Sequence, residues 1–246
     1  MKNWFLYVFL FGVSCAFAVE PATPQILDPR GWSLEAGGQY TWMSFTTPPT
    51  FKGSTGGVQG KLTYQTPRAF FGQLRSIYNI GTLFSDVNSS RDTEWYSEFV
   101  AGYCFSRCVK WKLTPYVGIG IDFLTDHKKA YANISAIELK YRLYYAIFGL
   151  DVRYAWKDWS AAVQLDCFPT FNQYLSITGL SGAAWKMSQR VGAAVRIPVG
   201  YQVIKRVWIE LTPYYRFLPI GSSHVLSLPH RNLNQWGAFL TLRCFL

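Results

Sequence analysis

Few residues in this chain could do chemistry. Asp126-His127 sets a carboxylate beside an imidazole, a pairing that can activate a water as a general base, and His224 and His230 form a second histidine group. A hydrolase would need such a histidine to converge with further acids on one substrate. The nearest acids, Asp86 and Asp92, are too far apart in sequence to form a tight pair, and no histidine falls in any strand-like segment where a Ser-His pair could be held. Solvated loop histidines are the plainer reading. No catalytic set, metal site or cofactor is expected.

The remaining ionisable side chains follow a period of two. Val58, Gly60, Leu62 and Tyr64 interleave with Gln59, Lys61, Thr63 and Gln65, the pattern of a strand with one apolar and one wet face. The cleanest example is residues 111–124, where Trp111, Leu113, Pro115, Val117, Ile119, Ile121 and Phe123 oppose Lys112, Thr114, Tyr116, Gly118, Gly120 and Asp122. Gathering the wet faces puts Lys61, Arg75, Lys112, Lys140, Arg142, Arg153, Arg190, Arg196, Arg216 and Arg243 together with Glu35, Glu94, Glu98, Asp122, Glu138, Asp151, Asp166 and Glu210. Opposite charges crowded into a narrow interior should pair, because an isolated ion there costs several kcal/mol.

Elements must exist to hold those faces. Ten alternating segments can be counted, at about 32–45, 57–66, 68–80, 93–106, 111–124, 136–154, 159–167, 187–199, 206–217 and 235–246. The sixth reads Leu139, Tyr141, Leu143 against Glu138, Lys140, Arg142, then Phe148, Leu150, Val152 against Asp151 and Arg153. That change of phase predicts a bulge near Tyr144 and Tyr145. Connections around Pro67, Arg107, Lys157 and Gln202 are short. Those near 46–56, 81–92, 125–135, 169–186 and 219–233 are longer and rich in Pro, Ser, Gly and Asn. Short and long alternate, as they do when periplasmic turns and outer loops join the strands of an up-and-down outer-membrane barrel.

Composition agrees. Aromatics make up 18% of the 246 residues, more than one packed core of this size needs, which points to a membrane interface. No stretch beyond the amino terminus is apolar enough for a spanning helix. Lys2, an apolar run from Trp4 to Val13 and then Ala16-Phe17-Ala18 read as a signal peptide over residues 1–18, followed by a periplasmic segment over 19–31 and a barrel over 32–246. The formal net charge of +10 becomes +9 once Lys2 is removed, and it favours anionic partners. In that compartment nucleic acid is excluded.

A closed barrel needs its last strand bonded to its first, since lipid offers no partner for a free edge. Trp236, Leu240, Leu242, Phe245 and Leu246 carry an alternating tail that resembles the carboxy-terminal assembly signal of bacterial outer-membrane proteins, with Phe245 one place early and Leu246 last. Thr114-Pro115-Tyr116-Val117-Gly118-Ile119-Gly120-Ile121 is similar to a strand common in small OmpA-like and OmpW-like barrels. The resemblance implies an all-β, membrane-spanning antiparallel barrel in the bacterial outer membrane, with ten strands expected and eight or twelve as alternatives. It also implies contact with outer-membrane lipid, lipopolysaccharide and the barrel-assembly machinery. Ten-stranded barrels include the omptin proteases, but their paired acids facing an Asp-x-His on the opposite rim are not found in these loops.

Cysteines at 104, 108, 167 and 244 follow the leader. An oxidising envelope permits a disulfide, and Cys104 with Cys108 could close the short turn they flank, as could unbonded thiols pack there. Residues 169–186 form the longest expected loop. Its Phe171, Tyr174, Leu175, Ile177, Leu180 and Trp185 need cover, either as a lid over the mouth or as a contact patch for a host or envelope protein. The expected role is a non-enzymatic, narrow, anion-preferring pore. The alternatives are a surface adhesin or envelope scaffold with a plugged lumen and, third, a hydrolase.

Overall fold

The computed structural model describes residues 31–46, 50–86, 88–108, 110–130, 136–178, 184–223 and 230–246. The expected leader, nearly all of the amino-terminal segment and parts of the long loops, including Leu180, lie outside the described residues. Within them the strands are β1 (Gly31–Phe45), β2 (Phe51–Gln65), β3 (Phe70–Phe84), β4 (Ser89–Tyr103), β5 (Phe105–Cys108), β6 (Trp111–Lys128), β7 (Ile137–Trp156), β8 (Trp159–Ile177), β9 (Ala184–Lys186), β10 (Val191–Arg196), β11 (Val199–Ile204), β12 (Val207–Ile220) and β13 (Arg231–Phe245).

Ten staves close one ring. β4 and β5 form a single stave against β6, whose register carries on from Gly102↔Tyr116 to Phe105↔Leu113. Likewise β9, β10 and β11 run along β8 in one register, through Leu175↔Trp185, Ala193↔Cys167 and Val199↔Ala161. Pro198, which has no N–H to give, falls between β10 and β11. Every pairing is antiparallel, and β13 bonds both β12 and β1, from Ser33↔Phe245 to Phe45↔Leu233. The tail is therefore the closing stave. Both faces of its backbone are satisfied, which is what lets strands stand in lipid.

The outer wall is apolar. Leu34, Val58, Leu74, Phe99, Ile119, Phe148, Leu165, Leu211 and Leu240 are all exposed there. Toward the short turns the wall becomes aromatic, with cross-strand ring pairs Trp32–Tyr64 at 4.8 Å, Phe70–Tyr103 at 4.9 Å, Trp111–Tyr154 at 4.8 Å and Trp159–Tyr201 at 4.8 Å. Amphipathic rings settle at a membrane interface, and these four pairs put eight of the aromatic residues there.

Strands outrun the sequence expectation at their outer ends. β7 has 20 residues and β8 has 19, whereas about 9–11 tilted residues cross a bilayer. The surplus stands above the lipid. Residues 169–177, expected in a loop, belong to β8, so the loop is far shorter than the sequence suggested. The phase change also moves. The register slips between Tyr144 and Tyr145, where the sequence placed it, but the partners Asn172 and Thr170 show that Phe171 on β8 is the extra residue. β7 keeps one phase throughout.

Candidate functional site in the barrel interior

Because β7 does not change phase, its inward set is Leu139, Tyr141, Leu143, Tyr145, Ile147, Gly149, Asp151, Arg153 and Ala155, of which all but Leu139, Gly149 and Arg153 are buried. Glu138, Lys140 and Arg142, expected on the lumen face, lie on the outer face at the outer end of β7, in the part of the strand that exceeds what a bilayer needs. There the surroundings are water, so the wet side of the strand is the outside. Polarity reverses because the solvent changes, with no change in the backbone. Arg190, also expected inside, is exposed just before β10.

The remaining lumen residues occur in tiers. Nearest the short turns, Glu35 of β1 pairs with Lys61 of β2 and with Arg243 of β13, the latter at 2.8 Å. Arg243 also reaches Glu210 at 3.1 Å, and Arg153 lies 3.6 Å from both Glu210 and Asp151. Lys112 donates to Gln65 at 3.2 Å. A cavity of about 150 Å³ opens among these groups and extends up to Arg75, Glu98, Tyr116, Asp166 and Arg196.

At mid-height the pairs are buried. Arg75 bonds Glu98, and Arg196 bonds Asp166, which also accepts from the Tyr116 hydroxyl at 2.5 Å. Arg216 reaches across from β12 to Glu94 on β4 and Asp122 on β6, both at 2.7 Å, and its guanidinium lies 4.3 Å from the Tyr96 ring. Asn79 and Gln235 also donate to Glu94, at 3.0 and 2.7 Å. Two glycines make room for this tier. A Cβ on Gly149 would stand 2.1 Å from the Tyr116 ring, and one on Gly120 would stand 2.4 Å from the ring of Tyr145, whose hydroxyl donates to Glu98 at 3.0 Å.

Above the charges lies an apolar plug. Met43, Phe45, Phe51, Leu83, Leu124, Tyr141, Leu143, Leu175, Met187, Leu218, Ile220 and Leu233 turn inward at the outer end and pack as one buried cluster, with Leu139 and Ile177 against it. Leu175 and Ile177, expected in a long loop as part of a lid or a contact patch, are thus wall residues of this plug. Phe171 is exposed, and its ring is 6.5 Å from Tyr144, a contact shared by Tyr174. Sequence reasoning missed the plug by assuming one polarity rule along a whole strand. Its signal is present in Met43, Phe45, Leu83 and Leu143, whose parity is that of the wet face.

Beside the plug, Ser90 bonds both Asp92 and Asp126, which are register partners on β4 and β6. Lys128 at 3.7 Å and Arg231 at 4.0 Å compensate Asp126. His127, the histidine next to Asp126, is exposed on the opposite face of β6. The acid pair and that imidazole therefore cannot share a water. His230 is exposed at the rim, and His224 lies outside the described residues.

Of the tail residues, Trp236, Leu240, Leu242 and Leu246 are exposed on the outside, while Phe245 lines the cavity. Cys104 is buried, and the side chain of Cys108, its expected partner, lies outside the described residues. Cys167 and Cys244 are free.

No described protein family matches this sequence, and no curated protein matches it. Solved structures do. The fold is similar to the outer membrane protease OmpT from Escherichia coli, with a TM-score of 0.62 and 8% identity, covering 91% of this chain and 100% of that one. It is similar also to the translocator domain of the autotransporter NalP from Neisseria meningitidis, with a TM-score of 0.50 and 8% identity, covering 98% and 95%. At such identities the likeness is one of fold: a small barrel of the bacterial outer-membrane type.

Proposed function

We propose that this protein is a closed envelope scaffold, whose filled barrel displays its outer rim and loops to partners outside the cell, and that it neither conducts nor hydrolyses. One observation carries the reading. A solute entering from the short-turn side meets the Arg216 tier and then the twelve buried residues of the plug, and nothing in the wall must move for either to be complete. The narrow-pore expectation would require breaking both. The hydrolase alternative rests on a water activated between Asp126 and His127, and that pairing is lost because His127 points to the opposite face of β6.

A scaffold has use for stiffness. Cross-lumen ion pairs tie β12 to β4 and β6, while the plug ties together the strands that rise above the lipid. Exposed Phe84 at the outer end of β3 and Phe171 on β8 offer apolar contacts for an envelope or host protein. The test is planar-bilayer conductance of the refolded chain. No channel activity above background is expected, and steady anion-selective steps from the unmodified protein would return the function to a pore.

A further inference from the structure

Five exposed cations crown the short-turn rim: Arg68 between β2 and β3, Lys110 between β5 and β6, Lys157 between β7 and β8, and Lys205 and Arg206 between β11 and β12. Asp158 is the one exposed acid among the described residues of these turns. Every turn has a cation next to a half-exposed, lipid-facing apolar side chain: Arg68 near Phe70, Lys110 beside Trp111, Lys157 beside Trp156, and Lys205 beside Ile204. The turns are too short to swing away. Each charge is therefore held at a fixed depth, just outside the aromatic belt.

Lys157 shows the arrangement most sharply. It occupies a two-residue hairpin turn with φ of +51°, a left-handed conformation that Asn or Gly adopts at less cost. Its ammonium sits 5.2 Å from the centre of the Trp156 ring. A long aliphatic stem lying along an aromatic face with its charge at the tip is the posture of a side chain reaching for the headgroup level.

We propose that the four short turns form a collar that binds the phosphate headgroups of anionic phospholipids in the periplasmic leaflet, selecting them over zwitterionic lipid in the shell around the barrel. Charge complementarity supports this occupant, and so does continuity, because the cations prolong a surface that is already the lipid contact. Cations at an anionic membrane surface each add a modest, salt-screened attraction, and several on one rim add up. This collar is independent of whether the lumen conducts.

The test uses the full mature chain refolded into phosphatidylcholine vesicles containing spin-labelled phosphatidylglycerol or spin-labelled phosphatidylcholine. Electron paramagnetic resonance then reads the fraction of each label immobilised at the barrel. A preference of about three-fold or more for phosphatidylglycerol is expected, of the size a few surface cations supply, and it should fade as salt is raised. Joint substitution of Arg68, Lys110, Lys157, Lys205 and Arg206 by Gln should abolish it, with folding verified by heat-modifiable migration. Substituting Lys140 and Arg142 on the outer rim by Gln should leave it unchanged. Equal immobilisation of both lipids by the unmodified protein overturns the proposal without needing any variant. So does a preference that survives the five substitutions. If the unmodified chain shows no lipid preference but co-sediments with purified peptidoglycan in a manner that those substitutions remove, the collar serves the cell wall instead.

Discussion

Arg216 and Asp122 stand on strands well separated around the ring and meet inside the lumen at 2.7 Å, their side chains 1% and 0% exposed. Glu94 takes the other terminal nitrogen, also at 2.7 Å. One cation thus holds two carboxylates from β4 and β6, and the barrel cannot widen at this height without breaking a buried charge-assisted bond.

Removing that cation should be costly. Arg216→Ala leaves Glu94 and Asp122 facing each other without water, so a loss of about 3–5 kcal/mol is expected in reversible urea unfolding in lipid. Converting all three together, with Glu94→Gln, Asp122→Asn and Arg216→Met, should recover most of the loss. A single variant as stable as the parent would show that the tier does not hold the walls.

The plug makes a second prediction. Leu143 and Leu218 are both fully buried in it, and truncating either to Ala should destabilise by about 2–5 kcal/mol, as a cavity in any packed core does. Conductance should stay at background in each, because the Arg216 tier still closes the lumen. Channel steps from Leu143→Ala alone would mean that the plug is the only barrier.

Closure can be tested at the tail. β13 bonds two neighbours along its length, so deleting residues 235–246 would strip both β1 and β12 of their partners. The truncated chain should give no heat-modifiable species and no protease-protected form in the outer membrane. Normal insertion would overturn the topology.

Placement of the β7 side chains predicts their reactivity. Cysteine put at Lys140 or Arg142 should react with a membrane-impermeant maleimide on intact cells, whereas cysteine at Leu143 should stay protected in the plug. The opposite pattern would restore the charged set to the lumen.

Gly149 provides a steric prediction. A methyl group there would push the Tyr116 ring away from Asp166 and disturb the Arg196 pair beside it. Gly149→Ala should cost about 1–3 kcal/mol by the same unfolding measurement, and Gly149→Ala combined with Tyr116→Phe should cost little more than the glycine change alone. Fully additive losses would mean that the ring and the glycine are uncoupled.

The sequence by itself determined the barrel. Period-two alternation over ten segments, the ordering of short and long connections and the apolar tail are local, and each follows from which side of a strand meets lipid. The lumen positions of Arg75, Glu94, Glu98, Asp122, Asp166, Arg196, Arg216 and Arg243 were readable for the same reason, because inside the membrane a charge has only one face to choose. Which of them pair was not, since Arg216 meets acids 122 and 94 residues away and only ring closure sets that distance. Polarity at the outer ends was likewise decided by height above the lipid. Glu138, Lys140 and Arg142 share the alternation of a lumen face, yet water surrounds them from outside while Leu139, Tyr141 and Leu143 take the interior. A strand carries its period in its sequence; its solvent on each side, and so the meaning of that period, belongs to the assembled barrel.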